Sequence, residues 1–218
     1  MDKVFDSIGS LLGIHSLNFL DLAGFILGIL YLVWEYKANP KMWIAELVMP
    51  LIMMWLFFKK GIYGDCAMNA YYFFIAIYGY IVWTRHRNPQ GKGKENEKKR
   101  TARSISHIPM LQLLVCLGAF ITFYCVIAFL LIVFTDSTVP YLDAFTTSLS
   151  IVAMWMLAQK YVEQWFAWIL VDCVSCWLYF YKGLPWSGVR YGIYTAVAIF
   201  GYFNWLRLMR RQKTADTE

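Results

Sequence analysis

Trp165, Trp168 and Asp172 recur at i, i+3 and i+7, one stripe of a single helix, inside a stretch of overwhelmingly apolar residues. An acid held in such surroundings costs about 3 kcal/mol on insertion scales and marks a functional group more often than a packing one. A carboxylate flanked by indoles suits a flat, cationic, aromatic ligand: the rings stack, their faces attract the cation and the acid neutralises it. The competing reading, that tryptophans pack a bundle or sit in an interfacial belt, fits Trp55, Trp83, Trp177 and Trp205 near the ends of their segments. Glu46 is a second acid in an apolar segment, with Pro50 one turn beyond it as a kink or hinge. Glu46 is also within snorkelling reach of Lys41. Asn69, Tyr72 and Tyr194 complete the candidate binding residues, although Asn69 is equally suited to a bond with a neighbouring helix.

Other chemistry fits poorly. Cys173-x-x-Cys176 lies inside an apolar helix with neither a second pair nor a nearby histidine, which argues against a metal or redox centre. His15, His86 and His107 fall at or beyond segment ends, and no acids stand at metal-binding spacing. The expectation is a protein that is not an enzyme and uses no cofactor. All five cysteines sit in apolar segments, so no disulfide framework is expected.

The elements that position these residues are membrane helices. Hydrophobic residues make up 60% of the 218 and charged residues 16%, with mean hydropathy +0.49, a composition of integral membrane proteins. Seven segments reach spanning length, near residues 17–35, 42–59, 64–84, 110–134, 144–159, 161–181 and 186–207. Turn chemistry separates them at Asn39-Pro40, Lys60-Gly61, the polar run 85–107, Asp136 to Pro140, Lys160 and Lys182 to Pro185. The first twenty residues lack a basic signal-peptide start and read as a short interfacial helix.

The chain also copies itself. Residues 43–85 return 122 positions later as 165–207, matching among others at Trp43/Trp165, Trp55/Trp177, Lys60/Lys182, Gly61/Gly183, Tyr72/Tyr194, Gly79/Gly201, Trp83/Trp205 and Arg85/Arg207. If the loop 85–109 is cytoplasmic, that side gathers 15 of the 20 Lys and Arg residues, placing the N-terminus outside and the C-terminus inside. A three-helix copy inverts its successor unless one further helix intervenes. Segment 110–134 supplies it. The expected fold is all-α, a 3+1+3 arrangement of two parallel three-helix repeats, 17–84 and 144–207, joined by the linker helix 110–134 and ended by a cytoplasmic tail, 208–218. The basic loop then serves orientation and anionic lipid, with no role for nucleic acid. The copies differ at Glu46/Trp168 and Pro50/Asp172, so the two acids sit about one turn apart on matching faces.

The stretches Lys160-Tyr-Val-Glu-Gln-Trp-Phe-Ala-Trp168 and Leu178-Tyr-Phe-Tyr-Lys-Gly-Leu184 resemble the PnuC family of bacterial vitamin transporters, as do Ile77-Tyr-Gly-Tyr-Ile-Val-Trp83 and Ser150-Ile-Val-Ala-Met154. The resemblance covers nearly all seven segments. It implies a SWEET-like fold in the bacterial inner membrane and uptake of nicotinamide riboside or a related vitamin by facilitated diffusion. In that family a cytoplasmic kinase traps the substrate, no ion or nucleotide drives the carrier, and members form homotrimers. Nicotinamide riboside members carry Asn where this chain has Asp172, and Gln and Asn seven apart in the third segment, where this chain has Asn69 and Ala76. Amides that read ribose or carboxamide are thus partly absent while a negative charge is gained. Thiamine, the substrate of a related branch, moves narrowly ahead of nicotinamide riboside. Outside transport, the alternative is a membrane receptor or subunit of a larger complex.

Overall fold

The computed structural model describes residues 19–59, 63–84, 104–183 and 185–215. The proposed interfacial helix near the N-terminus, the Lys60-Gly61 turn and most of the basic run lie outside the described residues. Seven helices appear among them: α1 (Phe19–Tyr36), α2 (Met42–Lys59), α3 (Tyr63–Thr84), α4 (Met110–Phe134), α5 (Pro140–Ala158), α6 (Gln164–Tyr181) and α7 (Pro185–Ala215). Helices α3 from Cys66, α4 and α5 are long and apolar enough to cross a membrane on length and hydropathy alone. Helix α2 adds a shorter apolar stretch among the described residues, Met42–Trp55.

Three boundaries differ from expectation, each for a local reason. The fifth segment was expected from residue 144, yet α5 starts at Pro140, whose missing N–H and fixed φ suit a first helical position. Ser137 braces that start, its Oγ–H donating to Asp143 Oδ2 at 2.7 Å. The sixth was expected from residue 161. It begins at Gln164, because Lys160 adopts a left-handed φ of 58° and residues 161–163 complete the turn. The seventh was expected to end at 207, but α7 continues to Ala215, with Met209 buried in the core.

The repeat is visible in backbone geometry and reaches further than the sequence identities do. Ala38 and Lys160, 122 residues apart, are the non-glycine residues with positive φ among the described residues, at 49° and 58°. Each ends the first helix of its half through the same pair of bonds: Ala38 N–H to Glu35 O and Asn39 N–H to Trp34 O, against Lys160 N–H to Leu157 O and Tyr161 N–H to Met156 O. That is a left-handed helix stop, satisfying carbonyls that the helix leaves open. The next bonds also correspond, Trp43 N–H to Pro40 O and Trp165 N–H to Val162 O, both at 3.2 Å.

Four tryptophans then lock the halves together. Trp43 meets Trp83 edge-on at 5.7 Å and 86°, and Trp165 meets Trp205 at the same 5.7 Å and 86°. These approaches require glycine: a Cβ on Gly79 would lie 2.3 Å from the Trp43 ring, and one on Gly201 would lie 2.6 Å from the Trp165 ring. Between the halves, Trp83 and Trp205 face each other at 6.2 Å. Their ring nitrogens cross over. Trp83 Nε1–H donates to Ala158 O at the end of α5, and Trp205 Nε1–H donates to Glu35 O at the end of α1. Helix α3 thus packs on α5 and α7 on α1, a reciprocal exchange between the bundles.

Helix α4 packs on α5 and turns a broad apolar face outward, including Leu111, Val115, Phe129 and Phe134. The chain leading into it is tied to the α5–α6 turn. Ser106 pairs with Tyr161 in an isolated parallel bridge, Glu163 receives Ile108 N–H at 3.0 Å and sits 2.7 Å from His107 Nδ1, and the Tyr161 hydroxyl bonds Gln112.

Candidate functional site

Between the two bundles lies a cavity of about 1410 Å³. One end is rimmed by Phe134, Thr135, Asp143 and Lys182, where α4 ends, α5 begins and α6 ends. The other is floored by Glu35, Trp165 and Trp168, and Trp165 joins this floor to the rest of the four-tryptophan cluster.

Six of the seven residues expected from the sequence line this space: Trp165, Trp168, Asp172, Glu46, Tyr72 and Tyr194. They reach it from both halves. Spacing along α6 carries Trp165, Trp168 and Asp172 to one face, where Val171 and Ser175 also line the wall. Asp172 is 7% exposed. Glu46 arrives from α2 on the opposite bundle and Tyr72 from α3, beside Ser150 of α5. Asn69 departs from expectation. It is half-buried on α3, has contacts of its own, and is not among the lining residues. One helical turn separates it from Tyr72, but the crossing of α3 against α5 turns Tyr71 and Tyr72 inward instead, Tyr71 donating its hydroxyl to Ile151 O at 2.7 Å.

The snorkelling pair between Lys41 and Glu46 does not form. Ion pairs among the described residues are His107–Glu163 and Lys182–Asp143, the latter at 3.2 Å on the cavity rim. Lys182 is also the basic side chain among the lining residues, so Asp172, Glu46 and Glu35 leave the interior with a surplus of carboxylates. The half that carries Asp172 also brings an aromatic cluster to the lining: Tyr179 stacks on Tyr191 at 5.1 Å and 8°, and Tyr191 meets Tyr194 at 5.8 Å. Acids between ring faces can hold a flat cation by neutralisation and stacking together.

Glu35 was not anticipated. It stood at the last turn of the first segment, where a long acidic side chain ordinarily reaches the surface. Trp205 and Asn204 of α7 fold over that turn, their side chains donating to Glu35 O at 3.0 Å and Tyr36 O at 2.7 Å, and Glu35 is left 3% exposed. A signal existed: at the 122-residue offset Glu35 corresponds to Leu157, another unlike pair between the copies.

Among the described residues, seven helices enclose a cavity lined by acids and aromatic rings from two related halves, the build of a multi-pass membrane transporter. The family model described as nicotinamide mononucleotide transporter matches residues 18–207. The chain belongs to this family, the PnuC family of vitamin transporters. It is 29% identical to the riboflavin/roseoflavin transporter RibM of Streptomyces davaonensis, over 88% of this chain and 86% of that protein. It is 24% identical to the nicotinamide riboside transporter PnuC of Escherichia coli, over 92% and 90% of the two. The crystal structure of a vitamin B3 transporter PnuC superposes with a TM-score of 0.63 at 25% identity, covering 86% of this chain and 80% of that one. These relatives are transporters, and this chain is one, not an enzyme.

Proposed function

We propose that the protein takes up a small, flat, cationic B-vitamin by facilitated diffusion through the bacterial plasma membrane, thiamine ahead of nicotinamide riboside. The observation that carries this is the pairing of Asp172 and Glu46 with Trp165 and Trp168 around one cavity whose basic lining residue, Lys182, is already held by Asp143. Both vitamins carry a permanently cationic aromatic ring. A cavity with three interior carboxylates suits them better than a neutral ring.

With the basic residues on the cytoplasmic side, the rim at Asp143 and Lys182 faces outward and the tryptophan cluster forms the inner closure. The structure is then the form that admits substrate. Phosphorylation by a cytoplasmic kinase retains the vitamin, and the carrier assembles as a homotrimer; both parts rest on the family resemblance.

Riboflavin is the second reading, favoured by the identity to RibM. Its neutral ring gives the acids no ionic role. Thermal unfolding of the purified protein with thiamine, nicotinamide riboside and riboflavin decides among them, since a ligand at 100 times its Kd stabilises the folded state by about 2.7 kcal/mol. Uptake of the labelled vitamin into liposomes follows. Stabilisation by riboflavin alone would overturn the cationic reading, and so would unchanged thiamine and nicotinamide riboside binding in Asp172→Ala.

A further inference from the structure

Unmet hydrogen-bonding groups gather at the closed end of the cavity, on Glu35, Trp165 and Trp168 in its lining and on Gln164 and Trp43 behind it. Among the described residues, the buried side-chain atoms lacking a partner are Glu35 Oε1, Gln164 Oε1 and Nε2, and the Nε1 of Trp43, Trp165 and Trp168. All belong to the end of α1 and the first turns of α2 and α6, so they share one end of the bundle. A buried polar atom without a partner costs about 1–3 kcal/mol, more when charged, and such atoms are rare in folded proteins. Several at one end of a binding cavity mark a place completed by what binds there.

Glu35 is the acceptor of this set that lines the cavity. Bonds from Trp205 and Asn204 to the carbonyls of Glu35 and Tyr36 hold its backbone, its side chain interacts with the fully buried Gln164 while Oε1 stays without a partner, and it is within electrostatic reach of Glu46 and Asp172. We infer that Glu35 is a specificity-determining substrate ligand: its carboxylate accepts a hydrogen bond from an N–H group on the leading edge of the ring, deep to the ring charge met by Asp172. The chemistry selected is a primary carboxamide on the cationic ring, or an exocyclic amine on a neutral ring joined to it. A carbonyl or ester at that edge places two acceptors face to face, a mismatch that costs far more than the loss of a methylene in an apolar pocket.

The inference rests on the proposed uptake of a cationic vitamin, and the test separates the two. Calorimetric titration of the purified full-length protein uses thiamine with its 4-oxo analogue, and nicotinamide riboside with the analogue whose carboxamide is a methyl ester. Within each pair the ring charge is kept and the edge donor changes. The wild-type protein binds the amino or carboxamide member of the recognised pair at least about tenfold more tightly, the value of one charge-assisted hydrogen bond. Glu35→Gln removes most of that preference, while Asp172→Ala weakens both members alike and keeps their ratio. A wild-type protein that does not distinguish the members, or a Glu35→Gln variant that keeps the ratio, overturns the assignment with the vitamin reading intact. Binding of none of the four probes overturns that reading and the assignment with it. Because wild-type discrimination needs no variant, failure of Glu35→Gln to fold does not shield the inference.

Discussion

The two bundles are alike where they hold each other and unlike in the acids they turn to the cavity. Trp43, Gly79 and Trp83 in one half repeat as Trp165, Gly201 and Trp205 in the other, down to the same ring distance and angle. Along the cavity Tyr72 and Tyr194 still correspond, but at the acids the correspondence fails: Glu46 answers Trp168, Pro50 answers Asp172 and Glu35 answers Leu157. Like positions carry structural work that both halves must do identically for the interface to close. Unlike positions are released from that demand, and each substitution places a charge where its copy has none.

The largest test of this contrast is steric. Gly79→Ala and Gly201→Ala each drive a methyl into a buried indole, an overpacking worth about 1–3 kcal/mol, or a fall in Tm of roughly 2–12 °C. Thermal unfolding in detergent should show losses of similar size, and a loss confined to one half would break the equivalence. Next comes the asymmetric pair: Asp172→Ala weakens vitamin binding roughly 10- to 100-fold, while Pro50→Ala changes it less than about threefold, both read by calorimetry. Equal effects at both positions would make the site symmetric after all. Trp83→Phe and Trp205→Phe each remove one crossing hydrogen bond, about 1 kcal/mol and roughly 2–4 °C in the same melting experiment. Lys182→Ala is the smallest, because its partly exposed pair with Asp143 contributes below about 1 kcal/mol. Affinity for the recognised vitamin in that variant stays within about threefold of wild type.

Most of the architecture was legible because membrane helices declare themselves by length and their ends by turn residues. The parallel repeat was legible because Gly79/Gly201 and the paired tryptophans cannot be exchanged for other residues without a clash. The turns at 37–41 and 159–163 were legible one by one but their equivalence was not, since Lys-Ala-Asn-Pro-Lys and Gln-Lys-Tyr-Val-Glu share no residue in register. Their equivalence resides in φ at Ala38 and Lys160, which backbone hydrogen bonds impose. Asp172 could be found from its own neighbours along one helix face. Glu35 could not, because its burial comes from residues about 170 positions away on α7. Asn69, read from the sequence as equally suited to the cavity or to a neighbouring helix, is not in the lining, and the packing of α3 on α5 decides which side chains point in.

The crossed indole bonds bear on how such a chain could arise. A three-helix protein that lends its third-helix indole to the first helix of a neighbour makes that contact twice when it dimerises in parallel. Joining two genes head to tail then preserves an interface already in place, and the one new element required is a helix to restore direction, which α4 supplies. Only after fusion can a single half change by itself, so the carboxylates that distinguish one side of the cavity from the other would be younger than the tryptophans that close it.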